Sequence, residues 1–301
     1  LFQIRLARGY EHYDKEMSKL FFDELKLPKP DEQLVPPANG NLEEQRIFLK
    51  NAIKPTIESQ KPDLVIVVGD VNSTVAGAEA AHELGIKVAH VEAGLRSFDM
   101  TMPEEINRIR TDRISDILFT TETSANRNLL KEGIAKNKIF FVGNVMIDTL
   151  LKHRKKAKKS KILQKLDLPR KGYCVLTLHR PSNVDNKKSF DNILSILERI
   201  GENIGIVFPL HPRTRKNLES LGLGNRIKNV QNLIVTSPLG YLDFLCLMDN
   251  SKFVLTDSGG IQEETTVLGV PCITLRNNTE RPVTAEHGTN LLVSTDKKKI
   301  V

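Results

Sequence analysis

Short apolar runs alternate with amphipathic stretches along almost the whole chain. Residues 64–68, 87–91, 117–120 and 139–142 read as strands, and a second series follows at 174–178, 204–209, 233–236, 252–255 and 272–275. Residues 43–60, 74–84, 104–112, 191–200 and 241–249 place apolar positions at helical spacing between them. Unbroken Val, Ile and Leu leave a strand no polar face for water, so these strands belong to parallel sheets covered by helices on both sides. Strand and helix in alternation predict an α/β protein. The two series predict two doubly wound, Rossmann-like domains, residues 1–151 and 172–301, facing across a cleft and joined by residues 152–171.

In open parallel sheets, ligands bind beyond the carboxyl ends of the strands. The residues at those exits are Asp70, Glu92, His179, His211, Asp257 with Ser258, and Arg281. Asp70, in Gly69-Asp70-Val71-Asn72-Ser73-Thr74, is either a base or the cap of the next helix. Glu92, followed by Gly94 and Arg96, is either a held catalytic carboxylate or half of a Glu92–Arg96 ion pair. Met102-Pro103-Glu104-Glu105 opens a helix with proline and two acids, which by itself is ordinary first-turn chemistry. His179 and His211 leave equivalent strands. Arg281 reads as an exposed arginine suited to bidentate phosphate contact.

The stretch Leu255-Thr256-Asp257-Ser258-Gly259-Gly260-Ile261-Gln262-Glu263-Glu264 passes from strand through a small turn into a helix. Helix-terminal N–H groups, the helix dipole and the absence of side chains at two glycines make an anion cradle. One of the two glutamates fits a sugar or ribose hydroxyl better than a phosphate, so a sugar nucleotide is expected. The plainer alternative is that Asp257 or Ser258 caps the helix. Neither GxGxxG nor GxxxxGK[ST] occurs, against a dinucleotide or NTPase site of the usual kind.

Composition changes this picture little. The chain has 301 residues, 40% hydrophobic and 27% charged, ordinary for a globular protein. No apolar run approaches the ~20 residues of a membrane span, and no signal peptide is visible. The net charge of +7 resides in residues 152–171, where Asp167 is the only acid. Without interleaved aromatics this stretch reads as a solvated connector helix, not a nucleic-acid surface. Cys174, Cys246 and Cys272 sit far apart in apolar runs, as reduced buried thiols of a cytoplasmic protein do. No spacing points to a metal. Leu1 falls in what reads as mid-strand and Val301 where a helix begins, so a longer protein is expected.

VGDVNST, HVEAGLRSFDMTMPEEINR, LTLHRPSN, LTDSGGIQEE and LRNNTERP, in this order, closely resemble the non-hydrolysing UDP-N-acetylglucosamine 2-epimerases. The resemblance runs from about Tyr10 to the end. It implies the GT-B-type fold shared with nucleotide-sugar glycosyltransferases, UDP in the interdomain cleft, a homodimer, and no metal or other cofactor. It implies catalytic roles for Asp70, Glu92, Glu104 and His179. Ser258, Gly259 and Gly260 would hold the diphosphate and Glu264 the ribose hydroxyls. His211 and Arg281 would contact more of the UDP, and Phe244 would lie against the uracil.

The implied reaction interconverts UDP-N-acetylglucosamine (UDP-GlcNAc) and UDP-N-acetylmannosamine (UDP-ManNAc) by elimination and re-addition of UDP, feeding polysaccharide or glycan synthesis. Departures from the family pattern include Glu11 before His12, Val71 for threonine, Ser182 and Val283 for glutamates, and no GTRPE-type loop. Three alternatives stay open. They are a UDP-sugar glycosyltransferase of the same fold, a hydrolysing 2-epimerase, and a UDP-sugar-binding protein with weakened catalysis.

Overall fold

The structure is a computed structural model that describes residues 3–9, 15–37, 40–295 and 300. Leu1, Tyr10, Glu11, His12 and Val301 lie outside the described residues. The chain divides into two compact units, Leu1–Ser18 with Leu25–Asn144, and Lys19–Glu24 with Val145–Val301.

The first unit contains β1 (Ala7–Gly9), the start of α1 (Lys15–Leu25), β2 (Glu32–Leu34), α2 (Leu42–Gln60), β3 (Leu64–Val68), α3 (Asn72–Glu83), β4 (Lys87–Ala93), α4 (Pro103–Ile114), β5 (Ile117–Thr120), α5 (Thr123–Lys131) and β6 (Ile139–Phe141). Strands β3, β4, β5 and β6 form a parallel sheet in sequence order, and β1 and β2 form a separate parallel pair. A capping box starts α2: the Asn41 side chain accepts from the Glu44 N–H, and the Glu44 carboxylate accepts from the Asn41 N–H. Ile53 and Ile57 of α2, Ala78 and Ala81 of α3, Val67 and Val88 then share one apolar core. The edge strands depart from burial on both faces. Ile66 and Val68 of β3 and Phe140 and Phe141 of β6 are exposed.

The second unit contains α6 (Val145–Ala157), α7 (Ile162–Lys165), β7 (Tyr173–Thr177), α8 (Pro181–Val184), α9 (Lys187–Gly201), β8 (Gly205–Pro209), α10 (Pro212–Ser220), α11 (Gly224–Lys228), β9 (Leu233–Thr236), α12 (Tyr241–Asn250), β10 (Phe253–Thr256), α13 (Gly259–Leu268), β11 (Cys272–Thr274), α14 (Val283–Glu286) and β12 (Asn290–Leu292). Its six parallel strands run β12-β11-β10-β7-β8-β9, the order of a Rossmann sheet. The winding reverses between β7 and β10, the switch point where such sheets bind ligands.

Alternate residues of β7 serve opposite faces, as the pleat requires. Cys174 and Leu176 enter the core under α9, with Phe190, Ile193, Leu194 and Leu197. Tyr173 and Val175 enter the core under α6, α12 and α13, with Leu150, Leu245 and Leu247. All three cysteines are buried and reduced, and burial pushes the Cys174 thiol up to about 12. Among the described residues no helix is long and apolar enough to cross a membrane.

The basic stretch 152–171 differs from the expected connector. It comprises the second half of α6, all of α7 and the turns around α7, inside the second unit, whose boundary falls between Asn144 and Val145. Leu150, Ala157 and Ile162 are buried in the core beneath α12, and Arg154 hydrogen-bonds Asp249 at 2.8 Å. A few apolar positions dock the helix while most of its lysines remain in water.

Leu150→Ala should therefore destabilise the protein by ~2–5 kcal/mol, the cost of an emptied core site. Replacing Lys152, Lys155 and Lys159, all exposed, with glutamine should change stability by no more than ~0.5 kcal/mol per site. Urea unfolding of the two variants tests this. Equal effects would mean that charge, not packing, holds the segment.

Candidate active site

In the first unit, the ends of β3 and β4 and the first turn of α4 carry three carboxylates. Asp70 does not cap α3. The capping position is Val71, which gives no side-chain hydrogen bond. Instead the Asp70 carboxylate accepts from Arg108 Nε at 3.0 Å and pairs with its Nη2 at 2.9 Å. Asn107 adds a bond to the Asp70 carbonyl at 3.0 Å. Arg108 also reaches Glu105 at 2.5 Å.

Glu105 is buried and accepts from the Ser97 N–H, the Ser97 hydroxyl and the Phe98 N–H at 2.9–3.1 Å. Of the two adjacent acids, Glu105 braces the preceding loop. Glu104 is half-buried and has neither hydrogen bond nor ion pair among the described residues. A single residue step, about 100° around the helix axis, thus separates a structural carboxylate from one left to act.

Glu92 stands at the end of β4 with φ +71°, where the pairing with β5 shifts register between Val91 and Ala93. A left-handed non-glycine residue of this kind is held only when its surroundings over-determine it, and such residues cluster at functional sites. The fixing group is Asp112 of α4, fully buried. Its Oδ1 lies 2.7 Å from His90 Nδ1, and its Oδ2 accepts from the Gly94 N–H at 3.1 Å and pairs with Arg96 at 2.7 Å. His90 Nε2 lies 2.8 Å from the Gly69 carbonyl. Residues on both sides of Glu92 are therefore tied to one carboxylate. The alternative Glu92–Arg96 pair does not form, because Arg96 is taken by Asp112 and, through two bonds of 2.8 Å, by Glu132. Phe98, 77% exposed, is also left-handed at φ +59°.

In the second unit, the switch point brings together His179 after β7, His211 after β8, and Asp257 to Gly260 after β10. Ser258 occupies the capping position of α13 but makes no side-chain cap bond. Asp257 does not cap α13 either. Its buried carboxylate accepts from the N–H groups of His179 (3.0 Å) and Arg180 (2.9 Å) and from Asn183 Nδ2 (3.1 Å), and lies 3.0 Å from His179 Nδ1. Burial pushes this carboxyl up, but the imidazole and the N–H donors outweigh it and hold Asp257 below its ordinary value. His211 caps α10, its Nδ1 accepting from the Arg213 N–H. The His179 and His211 rings lie 5.8 Å apart.

Arg281 corrects an expectation. It is 6% exposed, bound to Glu263 at 2.5 Å and Glu280 at 2.7 Å. The reason is Gly259. A Cβ there would lie 2.2 Å from Glu280 Oε1 and 2.6 Å from Arg281 Nη1, so the space a side chain would fill holds this ion pair. At Gly260 the nearest atom is the flexible end of Met146.

Glu264 is also buried and accepts from the Tyr241 hydroxyl at 3.0 Å. Burial, and then the neighbouring Glu263 charge, push it up to about 7 against the Tyr241 bond. Phe244 is half-buried against the apolar core under α12. No group of three or more potential ligands suited to a metal occurs among the described residues.

Sequence reasoning missed Asp112, Glu105, Arg108, Asp257 as a partner of His179, and Glu280. The available signal was helical spacing. Glu105, Arg108 and Asp112 share one face of α4 at intervals of three and four. The partners of Asp257 lie in a different strand–helix unit, and no local pattern announces them.

Two outcomes follow. Arg281→Ala should cost ~3–5 kcal/mol of folding stability, because it removes the cation bound to Glu263 at 2.5 Å and one of the two bound to Glu280, which keeps Arg276 at 2.8 Å. A thermal midpoint within a degree or two of wild type would contradict this. For Glu264, the native state keeps a proton that the unfolded chain, at the ordinary 4.5, has released. Stability is therefore lost as pH rises from 4.5 to about 7 and is level above that. Glu264→Gln should be more stable than wild type above pH 7, by on the order of 3 kcal/mol, and should converge with it below pH 4.5. Denaturant titration across that range reads the difference.

Comparison with known proteins places the chain in context. It matches the UDP-N-acetylglucosamine 2-epimerase family over residues 2–301. It is 50% identical over 293 residues to a UDP-N-acetylglucosamine 2-epimerase homolog of Methanococcus maripaludis, spanning 97% of this chain and 81% of that protein. To the UDP-2,3-diacetamido-2,3-dideoxy-D-glucuronate 2-epimerase of Pseudomonas aeruginosa it is 42% identical over 297 residues, spanning 97% and 80%. The crystal structure of the Methanocaldococcus jannaschii UDP-GlcNAc 2-epimerase in complex with UDP-GlcNAc and UDP superposes with a TM-score of 0.90 at 47% identity, covering 96% of this chain and 80% of that one. With two Rossmann-like units, the motifs in order and a match along its length, the chain belongs to the UDP-N-acetylglucosamine 2-epimerase family.

Proposed function

We propose that this chain interconverts UDP-GlcNAc and UDP-ManNAc by elimination and re-addition of UDP, without releasing free sugar. The observation that carries the reading is the gathering of Asp70, Glu92 and Glu104 at one edge of the first unit, each fixed or spared by a separate structural group. The C2–H of the sugar is weakly acidic, so its removal must be coupled to cleavage of the C1–O bond, with the electron pair leaving on the diphosphate. Returning a proton from the opposite face requires a second acid/base group. One carboxylate cannot reach both faces, and a glycosyltransferase would need only one base.

In this reading Ser258, Gly259 and Gly260 hold the diphosphate at the start of α13, where helix-terminal N–H groups favour negative charge as it develops. Glu264 takes the ribose hydroxyls, Phe244 the uracil, His211 further UDP contacts, and His179 acts beside the departing diphosphate. Arg281 acts through its hold on Glu263 and Glu280 and through its charge, not as an exposed clamp. Chemistry of this kind needs no metal or redox cofactor. We further propose a cytoplasmic homodimer, which light scattering checks.

Incubation with UDP-GlcNAc in D₂O should yield UDP-ManNAc carrying deuterium at C2, with no free N-acetylmannosamine. Asp70→Asn, Glu92→Gln and Glu104→Gln should each slow turnover ~10²–10⁴-fold while UDP still binds in calorimetry. Protium retained at C2, or normal turnover in all three variants, would defeat the mechanism. Free sugar would indicate the hydrolysing reaction. The 42% identity to the diacetamido-glucuronate 2-epimerase supports one second reading, in which the substrate bears an acetamido group at C3 and a carboxylate at C5. Comparing kcat/KM for the two UDP-sugars decides between them.

A further inference from the structure

Two imidazoles stand side by side at the exits of β7 and β8, and the groups bound to their inner nitrogens are of opposite kind. Asp257 is surrounded only by donors: the N–H groups of His179 and Arg180 and the amide of Asn183. A carboxylate so placed is ionised and can only accept. The His179 nitrogen facing it, Nδ1 at 3.0 Å, must therefore carry a hydrogen. In the neutral ring that leaves Nε2 bare. His211 is the reverse. Its Nδ1 accepts the Arg213 N–H at 3.2 Å and cannot carry a hydrogen while it does so, so the neutral ring is protonated at Nε2.

We propose that His179 and His211 are locked in opposite neutral tautomers, His179 presenting a hydrogen-bond acceptor and His211 a donor, with Asp257 the positioning residue for His179. A ligand edge that matches the pair carries a hydroxyl beside an anionic oxygen, as the sugar–diphosphate junction of a nucleotide sugar does. Ionised Asp257 also balances charge when the His179 ring takes a proton, because the Nδ1–H bond is kept in both states. Locked tautomers remove the need to reorganise the rings when the diphosphate departs. The use made of the pair rests on the epimerase reading; the tautomers themselves do not.

Nitrogen-15 NMR of the full-length protein, at a pH where both rings are neutral, tests the assignment. His179→Gln and His211→Gln spectra identify the two rings. Wild-type His179 should show a pyrrole-type Nδ1 and a pyridine-type Nε2, and His211 the opposite. In Asp257→Asn the amide can turn its NH₂ toward the ring, so His179 should shift toward the Nε2–H form. Turnover should then fall on the order of 10²-fold or more in kcat, with UDP affinity unchanged. A merely structural role for Asp257 would lower stability without moving the tautomer. If Asp257→Asn does not fold, the wild-type spectrum still decides. An Nε2–H tautomer for wild-type His179, the same tautomer in both rings, or an Asp257→Asn enzyme within about twofold of wild-type kcat would each overturn the proposal. A wild type with the expected tautomers and no turnover of either UDP-sugar would instead refute the epimerase reading alone.

Discussion

A carboxylate removed from water must be given donors for both its oxygens or it will not stay ionised. In each unit one buried aspartate imposes that demand, and the reactive edge is arranged around meeting it. Asp112 takes His90, the Gly94 N–H and Arg96. Asp257 takes the His179 ring, two backbone N–H groups and Asn183. Neither is among the residues assigned to touch substrate. Each instead fixes a chain segment: the bend at Glu92 in one case, the exit of β7 in the other. The strain at Glu92 persists because its neighbours on both sides cannot leave Asp112 without stranding a buried charge.

The start of α13, where the diphosphate is proposed to bind, follows a similar logic with the signs reversed. Arg281 and Glu280 fill the space that a side chain at Gly259 would take, and Glu263 completes the pairing. The glycine is thus needed for close packing of an ion network against the helix, as well as for any approach of phosphate. Breaking a buried pair costs more than forming it contributes, so this network serves rigidity and field at the start of α13 more than net stability. Among the described residues Glu264, one residue beyond Glu263, has the Tyr241 hydroxyl as its partner and no cation. Burial accordingly pushes its carboxyl up to about 7.

The basic helix α6 shows how a charge total misleads when read without position. Residues 152–171, which begin in α6, account for the excess charge, but what places this stretch in the second unit is a small set of apolar contacts beneath α12. Exposed charges contribute little to folding, whereas each buried aliphatic contributes on the order of 1.5–3 kcal/mol. The segment behaves as structure with a solvated outer face.

What the sequence alone determined was the α/β class, nearly every strand in both central sheets, and the residues at the strand exits. These are local properties: apolar runs bury themselves, and the residue after a strand lies at the sheet edge. The resemblance carried by the motifs named the family from the same residues. Tertiary structure alone decided how those residues are held. Asp70 and Asp257 read equally well as helix caps until Arg108 and His179 were seen to claim them. Arg281 read as exposed until Gly259 gave it a place to bury. The pairing of Glu92 with Arg96 looked natural at a spacing of four, yet Arg96 is drawn to Asp112 and Glu132, distant in sequence and adjacent in space. Such partners are chosen by competition among all the groups that the folded chain brings within reach, and a linear pattern records only the nearest of them.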